Sequence, residues 1–203
     1  ERVGEKAGRF EVGQRVGAAW LRSACGVCRF CVSGRENLCE SARFNGCDAD
    51  GGYAEYMALP EKFAYTVPEQ FPDDEAAPLM CAGIVGYRAL ELSGIEPGGV
   101  LGLYGFGASA HIAIQVAKHR GARVFVFSRS PEHRALAREL GADWAGAAAD
   151  EPPAKLTSAV IFAPVGSLYL DALRVLDRGG TVVSAGIHMS PVPEMDYDGL
   201  LYH

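Results

Sequence analysis

Four cysteines, Cys25, Cys28, Cys31 and Cys39, follow the spacing C-x2-C-x2-C-x7-C, and this pattern constrains the chain more than any other feature. Thiols this close along a chain can surround one tetrahedral Zn²⁺, and a site whose four positions are all filled by protein is closed and therefore structural. The enclosed segment, residues 32–38, offers only Val32 and Leu38 as apolar side chains, so burial alone would hardly fix it. Structural zinc contributes roughly 10–16 kcal/mol in finger peptides, against ~1.5–3 kcal/mol for burying one leucine-sized side chain. The competing reading is two disulfides or four free thiols. Disulfides serve small secreted scaffolds, whereas a chain of 203 residues that is 49% hydrophobic can bury a core without them. Cys47 and Cys81 stand apart from the cluster.

The formal charge is −6, and no cluster of Lys and Arg is present, so a nucleic-acid partner is not expected. The weakly polar stretch 100–117 is interrupted by glycines, Ser109, His111 and Gln115, which argues against a membrane span. Glu1 to Gln14 lacks the basic start and apolar run of a signal peptide, and a cytoplasmic location is expected, unless a targeting segment precedes Glu1.

The texture of the chain divides it. Residues 1–82 carry many turn signals and short strand-like pieces, at 14–18 and 53–57, and predict an irregular β-rich domain. Residues 83–203 alternate apolar strands with helical segments. Helices are predicted over 84–93, from the glycine loop to about 120, over 131–140 and over 167–176. Strands are predicted over 100–104, 123–127, 143–145, 159–162 and 181–185. This alternation is that of an α/β fold with a doubly wound parallel sheet. Pro152-Pro153 reads as a surface loop.

Gly105-x-Gly107-x-x-Ala110 follows an apolar strand and opens a helix, the context that this otherwise weak motif needs. Gly105 permits a tight turn, Gly107 a close backbone approach to a pyrophosphate, and Ala110 helix-to-strand packing. The helix start can offer N–H groups to phosphates. Gly105, Phe106, Gly107, Ala108, Ser109 and Ala110 are therefore candidate cofactor-binding residues. A plain β-to-α turn would carry similar glycines. At the end of the next strand, where an acidic residue would accept from the ribose of NAD, stand Ser128, Arg129 and Ser130. Arg129 could add a charge-assisted bond to a 2′-phosphate, of about 1.5–3 kcal/mol, so NADP is favoured and NAD kept as the alternative. Arg129 turned to solvent is the bland reading.

The cysteine lobe, followed by Asp50-Gly51-Gly52-Tyr53-Ala54-Glu55-Tyr56, resembles the zinc-dependent medium-chain alcohol dehydrogenases. Ala77-Pro78-Leu79-Met80-Cys81-Ala82-Gly83 and Gly105-Phe106-Gly107-Ala108-Ser109-Ala110-His111 match the same family in the same order. The resemblance implies a GroES-like β-rich catalytic domain joined to a Rossmann domain, and a homo-oligomer, dimer or tetramer, when full length. It gives Cys81 as a catalytic zinc ligand, where a lone apolar-flanked cysteine would otherwise read as an inert core residue. It places Ala163, with Pro164 and Val165, and Gly186 with Ile187 beside the nicotinamide. The implied chemistry is Lewis-acid activation of a small alcohol, or of an aldehyde or ketone in reverse, with hydride passing to or from nicotinamide C4. The family's other cysteine and histidine ligands are expected upstream of Glu1. The histidines His111, His119, His133, His188 and His203 are expected to be helix-face or loop residues. Trp20 and Tyr53 read either as substrate walls or as packing aromatics. One position departs from the family, Val85 standing where a threonine that helps position the nicotinamide is common.

Two alternatives remain open from the sequence, a zinc-free quinone or enoyl reductase on the same scaffold and a non-catalytic module binding zinc and nucleotide. A single thiolate cannot hold an active-site zinc, so residues 1–203 alone are expected to show no appreciable alcohol oxidation in a steady-state assay. Robust turnover by this piece would overturn the borrowed ligand set.

Overall fold

Runs of apolar residues without polar interruption mark the strands at the centre of the larger unit, because a parallel sheet is covered on both faces. The computed structural model describes residues 1–202, and His203 lies outside the described residues. The chain forms two units, Glu1–Cys81 and a second beginning at Ala82.

In the first unit, β1 (Val16–Ala18) pairs antiparallel with β4 (Ala64–Thr66), and β2 (Leu21–Ser23) pairs with β3 (Arg43–Phe44). Short 3-10 turns at Cys31–Ser33 and Glu36–Leu38 carry the cysteine lobe between β2 and β3. A brief helix, α1 (Asp73–Ala76), runs into a 3-10 turn at Ala77–Met80 that ends at Cys81. The strand predicted over 53–57 does not form. No strand of the described residues pairs with that segment, and Tyr53 and Tyr56 are exposed, so its alternation has neither a partner nor a face to bury. Trp20 stacks on Phe44 with centroids 4.2 Å apart, whereas Tyr53 packs against nothing.

The second unit opens with α2 (Ala82–Ser93), followed by β5 (Val100–Tyr104), α3 (Ala108–His119), β6 (Arg123–Phe127) and α4 (Pro131–Glu139). Then come β7 (Trp144–Gly146), β8 (Leu156–Ile161), α5 (Leu168–Arg174) and β9 (Leu176–Ser184). The five strands are parallel in the order β7-β6-β5-β8-β9, so the order reverses between β5 and β8, as in a Rossmann sheet. Alternate residues fill opposite faces. Leu101, Leu103, Val124, Val126 and Val160 pack with Ala110, Ile114 and Ala137 of the helices α3 and α4, and Tyr104, Phe125, Phe127, Ala159 and Ile161 pack with Ala172 of α5. Ser130 starts α4 as its N-cap, its hydroxyl accepting from the His133 N–H at 3.1 Å, with Pro131 pre-set for the first helical position.

β8 begins earlier than the sequence suggests, at Leu156, and β9 begins at Leu176 because α5 stops at Arg174 and releases Leu176 to pair with Leu156. Pro152 is buried although its connector reads as a surface loop, while Pro153 is exposed. A last π-helical turn, Asp198–Tyr202, was not legible in the residues.

Asp143 ties three elements together: its Oδ2 accepts from Lys118 Nζ at 2.8 Å and from the Val124 N–H at 2.7 Å. Burial opposes ionisation of this carboxyl, but the Lys118 ammonium and the Val124 amide outweigh it and hold its pKa below the ordinary value. A depressed carboxylate contributes stability above its unfolded pKa, near 3.9, and loses it as the pH falls through the folded value. Asp143→Asn is expected to cost about 1 kcal/mol, a fall in Tm of roughly 2–4 °C at neutral pH, with the difference from wild type closing below about pH 4. Thermal melts across pH check this, and a gap that widened in acid would contradict it.

Candidate functional site

The sequence brings two groups of candidate residues into register, one in each unit. In the lobe, the 3-10 turn at Cys31–Ser33 and the tight chain between Cys25 and Cys28 fold four sulfurs inward, all within 4.8 Å of one another. None is in a disulfide. Four sulfurs each about 2.3 Å from a tetrahedral Zn²⁺ would stand about 3.8 Å apart. The separations Cys28 Sγ to Cys31 Sγ, 3.5 Å, and Cys25 Sγ to Cys31 Sγ, 3.9 Å, bracket that value. The Cys25 N–H donates to Cys39 Sγ at 3.4 Å and the Cys28 N–H to Cys25 Sγ at 3.3 Å, so the backbone already favours negative sulfur. Hydrogen bonds from the Val27 and Cys28 amides pull the Cys25 thiol down to about 6, while burial pushes Cys31 up to about 12. The donor set is soft, convergent and closed, which suits zinc and leaves no position for a substrate.

Cys81 lies elsewhere. It ends the 3-10 turn at Ala77–Met80, is exposed, and joins no group of three or more candidate ligands among the described residues. Val85 sits in the first turn of α2, partly exposed.

In the second unit, Gly105, Ser128, Ala163 and Gly186 each follow directly on, or within two residues of, the carboxyl ends of β5, β6, β8 and β9, and so line one edge of the sheet. Gly105 has φ +86°, a left-handed turn that glycine adopts freely. A Cβ there would lie 2.8 Å from both the backbone nitrogen and the Cβ of Ala163, so Gly105 is needed twice over, for its dihedral and for the approach. Gly186 closes the same row, its Cα position facing the Ala163 carbonyl, which a Cβ would meet at 3.3 Å. Gly107 opens α3 with no side-chain cap and open space around its Cα, leaving first-turn N–H groups at Ala108 and Ser109 for an anion. Ala110 is fully buried against the sheet. The Phe106 ring is buried in the core, so only its backbone faces the loop; its carbonyl lies 3.1 Å from His111 Nε2.

Ser128 is nine-tenths buried, while Arg129 is exposed and its guanidinium has no partner among the described residues. Ile187 stands out, 77% exposed. His111, His119 and His133 lie on helices and His188 in a loop. Two residues that shape this edge were missed. Arg134 Nη1 donates to the carbonyls of Ser128, at 2.8 Å, and Arg129, at 3.3 Å, and so holds the turn after β6. Gly86 lets α2 approach the start of α3, where a Cβ would meet the Ser109 carbonyl oxygen at 2.7 Å; a glycine inside a predicted helix was the available signal.

A family model described as zinc-binding dehydrogenase matches residues 108–203, and one described as alcohol dehydrogenase GroES-like domain matches residues 1–69. The probable alcohol dehydrogenase AdhA of Mycobacterium tuberculosis is 53% identical over 201 residues, which cover 98% of this chain and 58% of that protein. A cinnamyl alcohol dehydrogenase of Sorghum bicolor superposes with a TM-score of 0.88 at 29% identity, over 99% of this chain and 61% of that one. CAD from Helicobacter pylori, solved in complex with NADP(H), superposes with a TM-score of 0.85 at 27% identity, over 94% of this chain and 57% of that one. The chain thus spans less than two thirds of the length of these relatives. With a four-sulfur lobe, a GroES-like segment and a Rossmann sheet in this order, the chain belongs to the zinc-dependent medium-chain alcohol dehydrogenase family.

Proposed function

We propose that this chain belongs to an NAD(P)-dependent alcohol dehydrogenase and supplies its structural zinc lobe, one candidate ligand to the catalytic zinc, and most of its coenzyme site. The observation that carries the reading is the close approach of Gly105 to Ala163 where the strand order reverses, beside an uncapped helix start. Dinucleotides bind in such crevices, with the pyrophosphate against the helix N-terminus. The reaction is hydride transfer between a small primary or secondary alcohol, or the matching aldehyde or ketone, and the nicotinamide.

In this reading Gly105 to Ala110 wrap the pyrophosphate, Ser128 and Arg129 receive the adenosine ribose, and Ala163, Gly186 and Ile187 flank the nicotinamide. Arg129 favours NADP over NAD, since its guanidinium is uncommitted and no carboxylate stands at that strand end to repel a 2′-phosphate. Zinc in the lobe would be held by Cys25, Cys28, Cys31 and Cys39, and what it supplies there is folding energy. Cys81 is the one candidate toward a catalytic zinc, whose contribution when bound would be Lewis-acid polarisation of the substrate oxygen. One thiol does not make that site. A cluster of four cysteines spaced for a metal suits a reducing compartment, and the cytoplasm is proposed with it. No helix among the described residues is long and apolar enough to cross a membrane. Assembly into a homodimer or homotetramer belongs to the same reading.

Elemental analysis of residues 1–203 is expected to give about one zinc per chain, and Cys31→Ser to remove it and unfold the lobe, seen as rapid amide exchange over residues 25–39. Metal-free protein with a protected lobe would count against the zinc. For the coenzyme, calorimetric titration is expected to show tighter binding of NADPH than of NADH. Arg129→Ala should weaken NADPH about ten- to a hundredfold and leave NADH unchanged. Equal losses for both coenzymes would remove Arg129 from the 2′-phosphate.

A further inference from the structure

Two loops at the carboxyl edge of the sheet are locked together in a way the sheet itself does not require. Gly166, in the turn after β8, is buried, and a buried N–H needs a partner. It donates to Ser190 Oγ at 2.9 Å, while the Ser190 N–H donates to the Pro164 carbonyl at 3.3 Å. No side chain fits between the loops, because a Cβ on Gly166 would lie 2.2 Å from the Pro191 carbonyl oxygen. The loop after β9 is anchored a second time by Met189, which packs on the core beside α5 and whose sulfur accepts from Ser184 Oγ at 3.2 Å.

Between these anchors and the end of β9, the chain is held in a conformation it would not choose. His188 has φ +52°, the one left-handed non-glycine residue among those described. Beside it Ile187 is 77% exposed, on the strand-end edge that Gly105, Ala163 and Gly186 share. A doubly anchored, strained turn that sets out an apolar side chain is built to meet a flat apolar surface.

We propose that Ser190 is a positioning residue for the nicotinamide end of the coenzyme: by accepting from the Gly166 N–H it fixes the loop that presents Ile187 to the ring. The proposal rests on the dinucleotide-binding reading above. Without the hydroxyl, the Gly166 N–H loses its partner, the loops keep only the backbone bond from the Ser190 N–H to the Pro164 carbonyl, and the apolar surface under the ring is held less firmly. The adenosine half, held at Gly105 to Ala110 and at Ser128 and Arg129, is untouched by that change.

The test is calorimetry on residues 1–203 and on the Ser190→Ala, Ser190→Thr and Gly166→Ala variants. Each is titrated with whichever of NADPH and NADH binds more tightly, and with the matching half-coenzyme that lacks nicotinamide, 2′,5′-ADP or 5′-ADP. Ser190→Ala is expected to weaken the whole coenzyme about tenfold, to leave the half-coenzyme within about twofold, and to speed hydrogen exchange at the Gly166 amide. Ser190→Thr keeps the hydroxyl and should restore both coenzyme affinity and the slow exchange of the Gly166 amide, and Gly166→Ala should repeat the selective loss from the other side of the latch. Equal weakening of both ligands, or no weakening of either, overturns the role of Ser190. Wild-type protein that binds neither ligand overturns the dinucleotide reading, and the proposal with it.

Discussion

Where the chain leaves β5 and where it leaves β8, the two backbones come so near that a methyl group has no room between them. This approach follows from parallel pairing: Phe162 and Ala163 both donate to the Tyr104 carbonyl, which carries the β8 ladder one step past the strand and presses Ala163 against Gly105. Gly105 in turn donates to the Phe127 carbonyl, so the turn is clamped to β6 on its other side. Once it is fixed, the start of α3 can point in only one direction, and the ends of β6 and β9 fall into line on either flank. The close approach at this edge is thus a product of the sheet's register, and its glycines are what the register demands.

The lobe is organised on a different principle. The large core of the second unit holds its shape by burial, with side chains such as Leu101, Leu103 and Ile161 wholly inaccessible. Between Cys25 and Cys39 only Cys31 and Cys39 are buried, and no apolar cluster of the described residues includes them. Four thiolates within 4.8 Å repel one another, and one of them, on Cys31, is also penalised by burial. A dication held there would cancel both costs at once and would let such a short segment hold its shape without a core of its own.

Legibility in the residues followed burial. β5 and β6 are covered on both faces and matched the expected bounds, because a continuous apolar run leaves no choice of register. The cysteine spacing was equally direct, since four ligands on one short segment converge whatever surrounds them. The segment 53–57 misled for the opposite reason: alternation shows that a strand could form, and only a partner makes one. The ends of α5 and β9 were misplaced because the pairing of Leu176 with Leu156 is a tertiary fact. Arg134, Gly86 and Ser190 act through groups 5 to 24 residues away, and no local pattern announces such contacts.

The two arginines after β6 divide their work in a way that bears on how coenzyme choice can change. Arg134 spends its guanidinium on the Ser128 and Arg129 carbonyls, and Ser130 spends its hydroxyl on capping α4, so the backbone of the turn is fixed without help from the Arg129 side chain. Arg129 is therefore free to vary in chemistry while its position stays constant. A charge there is screened by water when no ligand is present and gains strength only when a phosphate excludes that water. Coenzyme selectivity placed on such a residue would cost the fold almost nothing, whereas the same selectivity built on Gly105 or Arg134 would disturb the strand-end edge itself.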